Sequence, residues 1–318
     1  MFDQIIDANI NRASEGLRVI EEYVRFVSKD KAQTLFLSEM RKKINLTETS
    51  KAAHLMSRNS EGDMRAKEVP QKRRSHCEVL IANFKRAEEA LRVLEEYTGD
   101  PVYNVCRYDL YDCEKAILLT AMKPRIQPGI YLVSDEVSVL KKGLDWGVSL
   151  VQYRDKFADK ATRLQKAKQI KVMSEKYTTP FIVNDDLDIA LLVDADGFHS
   201  GQDDLGVGEQ RRLLGPHKLI GKTTHNLNQG IEAQIQGADY VSVGPVFKTP
   251  SKPDREAIGF EYLAQAASNL TIPYVVIGGI AMETVEQILP YSPPLIGLIR
   301  DYENIPALQK RCFEGRFF

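Results

Sequence analysis

From Gly129 onward, eight short apolar runs alternate with helical segments, at residues 129–133, 149–153, 181–183, 197–200, 219–222, 240–243, 274–277 and 295–299. Runs of this kind, apolar on both faces, read as buried parallel strands covered by helices. Eight strand–helix units predict an α/β fold, a compact (β/α)₈ TIM barrel over residues 129–318. A doubly wound sheet is the structural runner-up, but it seldom needs eight evenly spaced units. A barrel places its chemistry at the C-terminal ends of the strands, where the βα loops gather.

Those ends are polar in a consistent way. The third run breaks into Asn184 and Asp185, the fourth into Gln202, Asp203 and Asp204. Asp185 and Asp204 would share one rim, where carboxylate oxygens suit Mg²⁺. Asp186 and Asp188 are read as acids opening the next helix. The second run ends Gln152-Tyr-Arg-Asp-Lys156, and alternation aims Gln152, Arg154 and Lys156 into the barrel mouth. Two cations and an amide point to an anionic ligand, the other reading being a buried ion pair with one of the acids. The fifth run ends Thr223-Thr-His-Asn226, where Thr224 or Asn226 caps the following helix. The sixth leads into a polar loop carrying Thr249, Ser251 and Lys252. The seventh ends in Gly278-Gly279 ahead of an expected helix, a phosphate-type site. With no paired nucleophile and base, this set suits holding a diphosphate and neutralising it as it leaves.

Residues 1–123 have a different texture, with almost no internal Gly or Pro. Amphipathic segments at 2–27, 31–55, 70–97 and 102–122 predict an all-α antiparallel helical bundle. Pro70 suits a first helical turn, and Gly99-Asp-Pro101 is a stop signal. Residues 9–23 recur as 83–97. The repeated polar positions include Asn9/Asn83, Arg12/Arg86, Glu15/Glu89, Arg18/Arg92 and Glu22/Glu96. Either they are solvated surface pairs, or a pseudo-twofold gathers them into an Arg/Glu-lined cleft. The loop 58–64, with Arg58 and Asp63, is either a phosphate or metal cradle or a connector. Pro124 to Pro128 forms a stiff linker.

Positive and negative charges nearly cancel, at net −1 over 318 residues. That gives no reason to expect a nucleic-acid partner. Cys77, Cys106, Cys113 and Cys312 show no metal or disulfide spacing and read as thiols of a reducing compartment. Met1 runs into polar residues, so no signal peptide is expected, and no apolar run is long enough to span a bilayer. A cytoplasmic enzyme follows as the expectation, with homo-oligomerisation left open.

The motifs at 151–156, 183–186, 195–204, 237–247 and 275–280 closely resemble thiamine phosphate synthase over roughly residues 129–300. The resemblance implies joining of hydroxymethylpyrimidine diphosphate to a thiazole phosphate, plain or carboxylated, with release of diphosphate. It places Mg²⁺ on Asp185 and Asp204, and the pyrimidine diphosphate on Gln152, Arg154, Lys156, Asn184, Thr223 and Lys252. Thr249, Ser251 and Gly279 would receive the thiazole phosphate. The chain departs from the family at its eighth strand, where Arg300 would either grip that phosphate or obstruct it. Residues 7–19, 58–63 and 83–97 resemble the small helical domain found ahead of such synthases. That family is thought to supply an alternative hydroxymethylpyrimidine phosphate kinase, which implies ATP, although no Walker-type loop is present. Its candidate residues are Asn9, Arg12, Arg18, Arg58, Asp63, Asn83, Arg86 and Arg92. The competing reading is a thiazole tautomerase-like barrel behind a non-catalytic helical oligomerisation module.

Overall fold

The computed structural model describes residues 2–46, 51–58, 72–250 and 256–314. The chain divides into two compact units, Met1–Met122 and Lys123–Phe318.

In the first unit the described residues form α1 (Asp3–Tyr23), which runs into a π-helical turn (Val24–Ser28), α2 (Lys31–Leu46), α3 (Lys51–Ser57), α4 (His76–Thr98) and α5 (Pro101–Ala121). Local chemistry sets several ends. Ser75 accepts from the Glu78 N–H to start α4, and Gly99 closes it in the left-handed conformation. Asp100 then caps Val102 with Pro101 at the first helical position. Of the segment expected to be helical over 31–55, the described residues form α2 and α3, and residues 47–50 and Pro70 lie outside the described residues. The repeated apolar positions Leu17, Ile20, Leu91 and Leu94 are all in the core.

The second unit is a closed barrel of eight parallel strands in sequence order. The strands are β1 (Gly129–Ser134), β2 (Leu150–Tyr153), β3 (Phe181–Asn184), β4 (Gly197–Ser200), β5 (Leu219–Thr224), β6 (Tyr240–Val243), β7 (Tyr274–Ile277) and β8 (Leu295–Leu298), with β8 pairing back on β1. Helices α6 (Val137–Asp145), α7 (Lys160–Tyr177), α8 (Leu187–Leu192), α9 (Val207–Leu214), α10 (Leu227–Ile235), α11 (Glu261–Asn269) and α12 (Ile305–Phe313) surround it. Alternation along each strand sends Ile130, Val151, Val183, Phe198, Val241 and Val276 outward, into the layer between sheet and helices. Tyr131, Leu150, Ile182, Leu219, Tyr240, Val275 and Leu295 point inward, and Ile126 of the linker packs against that inner layer.

The connection after β7 differs from expectation. Two 3₁₀ turns, Val285–Gln287 and Leu289–Tyr291, replace the helix. Pro290 bars an α-helix from running on past Leu289, and Pro293 and Pro294 lead directly into β8.

Candidate active site

Alternation along β2 carries Gln152, Arg154 and Lys156 to one side of the barrel mouth, and β3 and β4 are hydrogen-bonded neighbours. The result is a cavity of about 580 Å³. Its walls include those three residues together with Asn184, Asp185, Asp204, Thr223 and Thr249. Asp186 and Asp188 are turned away, as helix-opening acids. Asp186 bonds Arg163 at 2.6 Å and Asp188 bonds Lys160 at 2.7 Å. Asp155, between Arg154 and Lys156, also leaves the cavity and binds Lys166 at 3.0 Å.

Two exposed carboxylates, Asp185 and Asp204, line this rim. Protein crowded round the Asp185 carboxyl raises its pKa, and the charge on Asp204 adds to the rise, while Arg154 and Lys156 oppose it. Asp185 also holds a left-handed backbone, φ 61°, which costs of order 1–3 kcal/mol in a non-glycine residue. Its N–H is tied to the His199 carbonyl at 3.0 Å. One Asp204 oxygen accepts from the Gly201 N–H at 2.6 Å, which fixes the loop after β4. Among the described residues no group of three His, Cys, Asp or Glu side chains is placed to hold a metal. Two carboxylates of this kind would suit a hard divalent ion whose remaining ligands are not protein side chains.

Other expected residues land differently. Ser251 and Lys252 lie outside the described residues. Gly278 lines the cavity, whereas Gly279 and Arg300 do not. A Cβ on Gly279 would come 2.7 Å from Phe247 Cβ, so this glycine is needed for packing of the β7 loop under the β6 loop. With 3₁₀ turns following it, this corner also lacks the α-helical N-terminus expected of a phosphate site. Asn226, not Thr224, caps α10, accepting from the Gln229 N–H, and Thr224 bonds Ser242 O and Tyr262 OH instead. Tyr131, His199, Gln202, His225 and Ser242 also line the cavity and were missed from the sequence. For Tyr131, His199 and Ser242 the signal was available: each sits on the inward phase of its strand.

In the helical unit, the repeat does the same thing twice. Asn9 and Asn83 each donate to the carbonyl four residues back, at 2.8 Å. Arg18 pairs with Glu21 and Glu22, and Arg92 pairs with Glu95 and Glu96. Glu21 and Glu95 also reach neighbouring helices, through Arg41 and Arg107, each at 3.0 Å. Arg58 holds Asp7 with two bonds of 2.6 and 2.9 Å. Arg12 and Arg86 are exposed, and Asp63 lies outside the described residues.

Comparison with known proteins decides between the two barrel readings. Residues 127–297 match the thiamine monophosphate synthase family. The chain belongs to that family. Residues 4–116 match the ThiD2 family. The thiamine-phosphate synthase of Thermosynechococcus vestitus is 37% identical over 313 residues, covering 93% of this chain and 89% of that one. The thiamine-phosphate synthase of a Synechocystis strain is 36% identical, covering 93% and 90%. Both alignments are too long to omit either unit, so the fusion is shared. Among solved structures, a thiamine phosphate pyrophosphorylase from Pyrococcus furiosus superposes with a TM-score of 0.54 at 28% identity, covering 59% of this chain and 96% of that one. The chain is thus a transferase of the thiamine phosphate synthase family with a ThiD2 domain in front. The tautomerase-like reading is not favoured.

Proposed function

We propose that the barrel joins hydroxymethylpyrimidine diphosphate to a thiazole phosphate and releases diphosphate. We further propose that Asp185 and Asp204 hold the Mg²⁺ this requires. The observation that carries the reading is the meeting of those two acids with Arg154 and Lys156 in one cavity. When bound, Mg²⁺ would neutralise charge on the departing diphosphate. Arg154 and Lys156, with Lys252 as a third cation, hold the diphosphate oxygens and stabilise them as the C–O bond breaks. Gln152, Asn184 and Thr223 orient the pyrimidine, so that the thiazole nitrogen meets the developing cationic carbon in line. Thr249 and Ser251 offer hydroxyls to the thiazole phosphate. Gly279 and Arg300 stand outside the described cavity wall and are assigned there only through the family pattern. The nitrogen attacks through its own lone pair, so no general base is required.

For the helical unit we propose phosphorylation of hydroxymethylpyrimidine phosphate by ATP and Mg²⁺, supplying the barrel's substrate. All four repeated arginines are exposed, but Arg18 and Arg92 are engaged by acids, as is Arg58 outside the repeat, so Arg12 and Arg86 are the candidates for phosphate contacts. Asn9 and Asn83 are taken up by their own helices, and Asp63 stays a loop candidate.

The test of the synthase site is Asp185→Asn and Asp204→Asn, each assayed for coupling across a Mg²⁺ titration. Each variant should lose at least about 100-fold in turnover, consistent with removal of a central electrostatic contact. Undiminished turnover in both would remove the metal assignment.

A further inference from the structure

Inside the barrel, above the inner layer of Leu150, Ile182, Leu219, Val275 and Leu295, five polar side chains join end to end. Gln152 Nε2 donates to Tyr131 OH at 2.7 Å. Tyr131 OH lies 2.8 Å from Tyr240 OH, and Tyr240 OH lies 3.1 Å from His199 Nδ1. His199 Nε2 lies 3.0 Å from Thr223 Oγ1. None of the five is more than 9% exposed. The barrel keeps room for them. A Cβ on Gly221 would fall 2.1 Å from Tyr240 Cζ and 2.5 Å from His199 Nδ1. Gln152, Tyr131, His199 and Thr223 all touch the cavity, and Tyr240 at the middle of the chain does not.

With Gln152 Nε2 as the donor of the first link, one ordering of the others gives every hydrogen a partner. Burial raises the pKa of both phenols, so each keeps one hydrogen to donate. Tyr131 accepts from Gln152 and passes its own hydrogen to Tyr240. Tyr240 in turn donates to His199 Nδ1, which leaves the ring hydrogen on Nε2 for Thr223 Oγ1. What remains for the cavity is the Gln152 carbonyl oxygen beside its second amide N–H at one end, and the Thr223 hydroxyl hydrogen with one spare lone pair at the other.

We propose that Tyr131, Tyr240 and His199 are positioning residues whose hydrogen-bond chain sets the polarity of the pyrimidine pocket, acceptor on β2 and donor on β5. That polarity fits a ring with an exocyclic N–H facing Gln152 and an unprotonated acceptor facing Thr223. An aminopyrimidine is therefore taken and a pyrimidinone refused, because its carbonyl would meet the Gln152 oxygen lone pair to lone pair. The ring class rests on the synthase reading; the wiring does not.

The test uses the full chain. Calorimetry with Mg²⁺ compares the diphosphate of the aminopyrimidine with that of its oxo analogue, and turnover with thiazole phosphate is followed in parallel. Wild type should bind the amino compound at least about 30-fold tighter. Tyr240→Phe cuts the chain without altering the cavity wall, and should reduce that ratio by about 10-fold. It should raise KM for the pyrimidine more than it lowers kcat, with KM for the thiazole unmoved. Tyr131→Phe gives a second cut, and a melting curve confirms that each variant is folded. A folded Tyr240→Phe or Tyr131→Phe with wild-type discrimination overturns the proposal, as does a wild type that prefers the oxo analogue. Amino preference in a wild type that joins nothing would sink the synthase reading and leave the wiring standing.

Discussion

At the scale of single residues, Asp155 shows how much one step along a strand decides. It lies between Arg154 and Lys156, yet it faces the opposite way and accepts from the N–H groups of Phe157 and Ala158 at 3.0 and 2.9 Å, and from Lys166 at 3.0 Å. Burial pushes its carboxyl up, but the Ala158 and Phe157 N–H groups and Lys166 outweigh that and bring it from 3.8 to about 2. Because the folded value is depressed, the stabilisation is fully present above pH 3.8 and is lost as pH falls through about 2. Asp155→Asn should therefore cost about 1.5–3 kcal/mol at neutral pH, the range for hydrogen bonds to a charged group. The gap between the two proteins in thermal melts should close towards pH 2, and a gap that stays constant with pH would remove the carboxylate from the account. The same alternation that turns Asp155 outward made Gln152, Arg154 and Lys156 legible in the sequence, since charge at the inward phase of a strand end has few uses. His199 and Tyr131 obey the same rule but sit within apolar runs, where an isolated polar side chain reads as ordinary core until its partners from other strands are seen.

At the scale of elements, all eight strands could be placed from the sequence to within two residues at either end, because an apolar run bounded by Gly, Asp or Pro leaves little freedom. The helical unit was legible in its repeat but not in its crossing. Gly16 of α1 matches Ala90 of α4 in the repeat, and the two positions have unequal room. A Cβ on Gly16 would meet the Asn83 carbonyl oxygen at 2.9 Å and the Ala87 methyl at 3.5 Å. Gly16→Ala gains about 1 kcal/mol in helix propensity, but a backbone carbonyl on α4 must move to admit it, at a cost of about 1–3 kcal/mol. The net effect should be a lower melting temperature. Gly208→Ala in α9 is the contrast: nothing lies within 4 Å of its added Cβ, and it should be neutral or stabilising by up to about 1 kcal/mol. Equal shifts in melts of the two variants would mean that the α1–α4 crossing is not close-packed at Gly16.

At the scale of the whole molecule, a net charge of −1 leaves no long-range field to draw in phosphorylated substrates. Recognition must come from locally concentrated cations, as at Arg154 and Lys156. No described helix is long and apolar enough to cross a membrane. The relatives that align over both units keep the ThiD2 domain and the synthase barrel on one chain, which fits two consecutive steps, ATP-dependent formation of the pyrimidine diphosphate and its consumption. The pairing predicts how the two activities separate. In full-length Asp185→Asn supplied with hydroxymethylpyrimidine phosphate, ATP, Mg²⁺ and thiazole phosphate, thiamine phosphate formation should fall at least about 100-fold. Pyrimidine diphosphate should accumulate at the wild-type rate, because Asp185 belongs to the barrel alone. Arg12→Ala and Arg86→Ala should do the reverse, lowering pyrimidine diphosphate formation about 10-fold or more each, the scale of one lost charge-assisted phosphate contact. Coupling should stay normal in these variants when pyrimidine diphosphate is supplied directly. Chromatography of both products from one reaction reads the two steps together. If Asp185→Asn accumulates no diphosphate while ATP is present, the helical unit has no kinase step to contribute. If either arginine variant impairs coupling with diphosphate supplied, the division of labour between the units is wrong.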